Sequence, residues 1–299
     1  MRKATLFGAF MLLALALVIP LASCGNDDGS SDVEISEANL IEKAVSAIEN
    51  IETCQFTMQM NMDMTGKGNG ESFDMQMTYD GTGTMDNLNQ QMKMDMNMNM
   101  DMDMLGMDMD QEMDMEIYYI DDMMYTMTSN EMMGTEWLKS PLPEGSWESQ
   151  DMASQQTELL DAASLEILDG GVVNGVNCYK VEIIPNMLNL YEAMMQQPGM
   201  STEGLPEDMN IADLVDMIKK VNVTQWYAKD TFFPMKADMS MTMVMTPENM
   251  GDEMMGDMEM EMDMTMNIEF SDYNEPVSIE LPPDAKNAVE MDMDMDMGW

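Results

Sequence analysis

Histidine is absent from this chain of 299 residues, which removes imidazole from acid/base chemistry and from metal ligation. Basic residues are scarce: Lys and Arg number 12 against 57 Asp and Glu, for a formal charge of −45 at pH 7. Such a surface repels phosphate backbones and excludes nucleic acid as a partner. It equally excludes a basic patch that docks on anionic headgroups. Cysteine occurs three times, and without a histidine nearby a thiol has no base to activate it as a nucleophile. The sequence also shows no nucleophile–base pair, no phosphate loop and no carboxylate pair that stands out among so many. It reads as a protein that is not an enzyme and needs no cofactor.

What abounds is methionine, 49 residues within an apolar fraction of 45%. That fraction is too high for a disordered chain, and the length suffices to bury a real core.

The N-terminus carries a processing signal. Arg2 and Lys3 precede an apolar run over residues 6–19, followed by Leu21-Ala22-Ser23-Cys24-Gly25. A short apolar run that ends in small residues is a secretory signal and not a spanning helix. Leu-Ala-Ser-Cys resembles the prokaryotic lipobox, in which the signal peptidase cuts before the cysteine and the thiol is diacylated. On that reading residues 1–23 are the signal peptide and Cys24 is the lipid anchor. Residues 24–33, polar and rich in Gly, Ser and Asp, are a flexible tether. The mature chain is then expected at the cell membrane, lipid-anchored on its extracytoplasmic face. Two cysteines remain, Cys54 and Cys178. In an oxidising compartment they are either a disulfide, worth about 4 kcal/mol for so long a loop, or two separate buried thiols.

Periodicity defines the elements. Residues 36–51 have Ile41, Ala44, Val45, Ile48 and Ile51 at helical spacing behind a capping Ser36. From Cys54 the period becomes two, and methionine alternates with Asp, Asn, Gln or Thr. Three hairpins follow from that alternation. In the first, Met64 is set opposite Phe73, Met62 opposite Met75, Met60 opposite Met77 and Met58 opposite Tyr79. In the second, Leu105-Gly106 is the turn, so Met98 faces Met113 and Met96 faces Met115. In the third, Met245 faces Met258, Met243 faces Met260 and Met241 faces Met262. A slip of one residue would carry every methionine to the polar side. The hairpins therefore describe an antiparallel sheet solvated on one face.

The middle of the chain is mixed. Residues 116–128 read as one strand, and residues 157–165, 187–197 and 211–220 as helices. Asn174-Gly175 is a strong hairpin turn between residues 166–173 and 176–184.

Several segments together carry a family resemblance: YYIDDMMYTM and GTEWLKS, then NGVNCYKVEIIP, then TQWYAKDTFFPMKADM and FSDYNEPVSIELPPDA. With the lipobox and tether ahead of them, they resemble the LolA/LppX-like superfamily of extracytoplasmic lipoproteins and lipoprotein carriers. The resemblance implies an α+β fold in which a strongly curved antiparallel sheet, an incomplete β-barrel, has helices over its concave face. It places one domain over residues 34–290 and leaves residues 291–299 as a Met/Asp-rich tail. It further implies non-catalytic binding of a lipid or other apolar molecule between sheet and helices, with another envelope lipoprotein as a further partner.

Candidate ligand-lining positions are Met58, Met60, Met62, Met75, Met77, Met96, Met98, Met113, Met115, Met241, Met243, Met260 and Met262. Three uses of the methionine face stand open: a plain core, a pliable wall for apolar ligands, or a soft-metal site. Thioethers favour Cu(I) and Ag(I) over hard ions, and Met96, Met98, Met113 and Met115 are the candidate ligands. The spacing of Asp101, Asp103, Gly106 and Glu112 mimics an EF-hand loop, but Leu105 breaks the ligand set and no helices flank it.

Overall fold

A computed structural model of the chain describes residues 35–68, 71–104, 107–130, 134–142, 163–185, 216–247 and 258–290. One helix, α1 (Glu37–Ile48), precedes the strands. They are β1 (Thr53–Gly68), β2 (Glu71–Asp86), β3 (Gln91–Met104), β4 (Met107–Ile120), β5 (Met123–Asn130) and β6 (Gly134–Pro141). β7 (Ala163–Val173), β8 (Val176–Pro185), β9 (Ile218–Ala228), β10 (Pro234–Met245), β11 (Glu259–Ser271) and β12 (Val289–Glu290) complete them. All join one curved, unclosed sheet in the order β12-β6-β5-β4-β3-β2-β1-β11-β10-β9-β8-β7. Every pairing is antiparallel except the short β12–β6 contact. The expected class, α+β with an incomplete barrel, is what the chain forms. Among the described residues no helix is long and apolar enough to cross a membrane.

Local chemistry explains the helix. Ser36 accepts a hydrogen bond from the Asn39 amide at 3.3 Å and so satisfies one orphan donor of the first turn. Leu40 and Ala44 face Leu165, Val181, Ile183 and Tyr227 and belong to the same buried cluster as the methionines of β1, β10 and β11.

The registers divide into two kinds. Hairpin β3–β4 pairs as expected along its length, from Met92 opposite Tyr119 to Met104 opposite Met107. Hairpins β1–β2 and β10–β11 keep the expected face but are offset by two residues. Met64, Met62 and Met60 face Met75, Met77 and Tyr79, and Met245, Met243 and Met241 face Met260, Met262 and Met264. A slip of two returns every side chain to its own face, so alternation alone cannot exclude it. Sterics choose the β1–β2 register. Phe73 lies opposite Gly66, and its ring occupies the space of a Gly66 Cβ, which would come within 2.0 Å. Both strands also run through most of the expected eight-residue loop.

Three further expectations are corrected. Residues 116–128 are not one strand, because β4 turns into β5 at Asp121-Asp122, both with positive φ (54° and 59°). Asp tolerates that conformation better than most residues. Residues 163–165 begin β7 instead of ending a helix, and residues 218–220 begin β9, held by pairing to β8 and β10. Tertiary pairing overrides local helical propensity at both places. The helix expected at 187–197 lies outside the described residues, as do the signal peptide, tether and tail. Asn174-Gly175 forms its turn with φ of 49° and 84°, as two-residue hairpins require.

Gly83 sits under the Phe56 ring, where an added Cβ would come within 2.1 Å of it. Phe56 in turn packs on Phe270 with ring centroids 6.4 Å apart. Gly83→Ala is expected to lower unfolding stability in urea by about 1–3 kcal/mol through overpacking. Phe56→Ala in the same chain should recover part of that loss, so the two changes are non-additive. An unchanged urea midpoint for Gly83→Ala would contradict this packing.

Candidate functional site

Register assembles the methionines into rows that cross several strands. One row runs Met241, Met264, Met62, Met77, Met100, and the next runs Met243, Met262, Met64, Met75, Met102, Met109. A third runs Met239, Met266, Met60, Tyr79, Met98, Met113. Burial along these rows is uneven. Met58, Met60, Met62, Met241, Met243 and Met262 are all at most 4% exposed. Met75, Met96, Met98, Met113, Met115 and Met260 are half-buried, and Met77 falls in between at 8%. The methionine face is thus sealed over β1, β10 and β11 and partly open over β2–β4.

Where α1 lies on β7–β9, packing is tight. The gap among Leu40, Ala44, Leu165, Val181, Ile183 and Tyr227 is about 20 Å³, room for no more than a water molecule. Beside it, Gln225 is 3% exposed and its Nε2 has no partner. Its carbonyl accepts a hydrogen bond from the Tyr227 hydroxyl.

The opposite face carries the charge. Its donors and acceptors match across strands: Gln76 donates to Asp63 at 2.6 Å, Gln59 to Asp80 at 2.9 Å, Asn97 to Asp114 at 3.0 Å and Thr242 to Asp263 at 2.6 Å. An open groove of about 860 Å³ crosses this face from β11 to β6, lined by Thr57, Gln59, Asp80, Asp95, Asp114 and Glu116 among others. A second of about 440 Å³ includes Asp101, Asp110 and Glu112. Asp101 and Glu112 belong to the EF-hand-like spacing, and they sit on paired strands.

At one end this face turns apolar. The Asp121-Asp122 turn sets Tyr118 opposite Tyr125 and Glu116 opposite Met127, and the Trp137 ring lies tilted against Tyr118 with centroids 6.0 Å apart. Tyr118 donates to Glu116 at 2.9 Å, while Lys93 pairs with Asp95 at 2.7 Å and lies over the Tyr118 ring. Burial, and then the Glu116 carboxylate, hold the Tyr118 hydroxyl well above its usual range. A single strand over residues 116–128, the expectation from periodicity, hides this corner. The paired aspartates at 121 and 122 were its signal.

Cys54 and Cys178 do not form a disulfide. Both are free and buried, Cys54 with Val45, Ile48 and Ile51 and Cys178 with Val173, Ala228 and Met235. Tyr273 packs against both clusters. Burial raises the thiol of Cys178 and pushes that of Cys54 from 9.0 up to about 12, so neither is a reactive nucleophile.

The Cys54 shift fixes a pH dependence. Its folded pKa is raised, so between about 9 and 12 the unfolded chain has released a proton that the folded chain keeps. The contribution is complete below that window and lost through it. Tyr227 and Tyr273, raised chiefly by burial, act in the same direction. The urea midpoint should therefore fall from about pH 8 to about pH 10.5, and Cys54→Ala should fall less steeply. Equal slopes for the two proteins would contradict the burial of this thiol.

Among solved structures, the chain is similar to the lipoprotein LppX of Mycobacterium tuberculosis, at 14% identity and a TM-score of 0.38, covering 82% of this chain and 100% of that one. A DUF1329 family protein from Desulfovibrio piger matches at 12% identity and 0.21, covering 79% and 92%. An outer membrane lipoprotein-sorting protein domain from Vibrio parahaemolyticus matches at 12% and 0.15, covering 74% and 87%. No curated protein matches. The profile of one family does match, over residues 36–290. The chain belongs to that family, DUF6612, a family of unknown function.

Proposed function

We propose that this chain is a lipid-anchored extracytoplasmic protein that binds a lipid or other apolar molecule without catalysis. The observation that carries the reading is the uneven cover of the methionine face. Met75, Met94, Met96 and Met100, with Tyr79, pack against the buried cluster yet stay half-buried themselves. A continuous apolar strip over β2–β4 therefore extends beyond its packed core, and strips of that kind serve as binding surfaces. Methionine suits the role because its three free torsions let the surface adapt to ligands of different shape. The anchor at Cys24 rests on the lipobox sequence Leu21-Ala22-Ser23-Cys24. It would hold the strip close to its source of apolar ligand.

The test is mass spectrometry of solvent extracts from the full chain purified out of membranes in mild detergent. A recurring lipid in the extract is expected. Met98→Asp with Met113→Asp should lower its amount at least about fivefold, since a buried carboxylate is costly beside an apolar chain. Met241, at 2% exposure, is the control position: Met241→Leu should leave the amount unchanged. Extracts that repeatedly hold no lipid would overturn the proposal.

A further inference from the structure

The paired strands set methionines on either side of a position whose own residue is glycine. Gly81 lies between Met58 on β1 and Met96 on β3, and Met96 faces Met115 on β4. The space of a Gly81 side chain is taken up by its neighbours: Met96 Cγ comes within 3.1 Å and Met58 Cε within 3.9 Å of the position of its Cβ. The next row sets Met98 opposite Met113. Opposed residues have Cβ atoms about 5 Å apart, and same-face neighbours along a strand are about 7 Å apart. Three or four flexible thioethers can therefore converge on one point.

We infer that Met58, Met96, Met98, Met113 and Met115, gathered around Gly81, bind a soft monovalent cation, Cu(I) or Ag(I). The donor set is neutral thioether, which selects these ions over harder ones. Competing ligands are few. The chain has no histidine, and its two described thiols are buried. No group of three or more His, Cys, Asp or Glu among the described residues is arranged to hold a metal. Access is open, because Met96, Met98, Met113 and Met115 are half-buried. The charge balance favours a cation as well. Asp95, Asp114 and Glu116 alternate with these methionines on the same two strands and project from the other face. They supply negative potential through a sheet only one layer thick. Binding forms sulfur–metal bonds without redox change or proton release.

Ag(I), which needs no reductant, is the probe. The full chain carrying Cys24→Ser, in mild detergent, is titrated with Ag(I), and Cu(I) is then tested against a Cu(I) chelator under anaerobic, reducing conditions. One site per chain is expected, micromolar or tighter, with affinity flat between about pH 5 and 8 because thioethers do not titrate there. Met96→Leu with Met115→Leu keeps volume and apolar character but removes two sulfurs, and should weaken binding at least about tenfold, or about 1.4 kcal/mol. Gly81→Ala, which displaces Met96, should weaken it without removing any sulfur. Many equivalent millimolar sites would overturn the inference. So would affinity unchanged in the double leucine variant, or loss in Cys54→Ala/Cys178→Ala alone. The leucine variant retains an apolar strip, so loss of metal with lipid retained separates this inference from the lipid reading.

Discussion

Successive side chains of an extended strand point to opposite faces, and nearly everything in this fold depends on that two-residue period. A sequence of alternating Met and Asp has one arrangement that buries the first and hydrates the second. The strands of the packed core obey it: β1 buries Met58, Met60, Met62 and Met64, and β11 buries Met262, Met264 and Met266. Because cross-strand partners share a face, the rule propagates from strand to strand and yields a sheet with one sulfur-rich side. Methionine has little intrinsic preference for strands. Burial of the face against α1 and the neighbouring strands must therefore supply what propensity does not.

The same rule crowds carboxylates on the other face. Asp63 is directly opposite Asp263 and Asp101 opposite Asp110, placements that are destabilising for like charges. The interleaved amides and hydroxyls relieve the crowding. Gln76 donates to Asp63 and Thr242 to Asp263, so two opposed carboxylates each acquire a donor from a different flanking strand. Asn267 likewise donates to Asp238. Asn, Gln and Thr among the aspartates thus serve as cross-strand donors in an acidic surface nearly without cations. The cationic exceptions gather around aromatic rings, as where Lys180 and Lys236 flank Trp226 at 5.4 and 5.3 Å.

Periodicity makes the faces legible from sequence, and the local hairpins with them. It could not settle anything that leaves the face unchanged. Hairpin β3–β4 is readable in full because the methionines on either side of residues 105–106 pair from Met104 opposite Met107 outward. Hairpins β1–β2 and β10–β11 were offset by two residues because parity tolerates that slip, and a steric detail, the Phe73 ring over Gly66, selects the register of the first. The β4–β5 turn was missed because Asp-Asp in a chain full of aspartate carries little contrast. The strand starts at Ala163 and Ile218 were read as helix, since nothing local reveals the partner strands that claim them. At the candidate site, the opposition of Met96 with Met115 and of Met98 with Met113 was legible. The place of Gly81 between Met58 and Met96 is not, because it depends on which residue of β2 lies between β1 and β3.

One methionine face has two parts, a sealed core over β1, β10 and β11 and an accessible strip over β2–β4. Residue-resolved oxidation measures this directly, since exposed thioethers convert to sulfoxide faster than buried ones. The folded protein is treated briefly with dilute hydrogen peroxide and each methionine is quantified by peptide mass spectrometry. Met96, Met98, Met113 and Met115 are predicted to oxidise at least about tenfold faster than Met60, Met62, Met241 and Met243. Equal rates across the two groups, or faster oxidation of the second, would contradict the account.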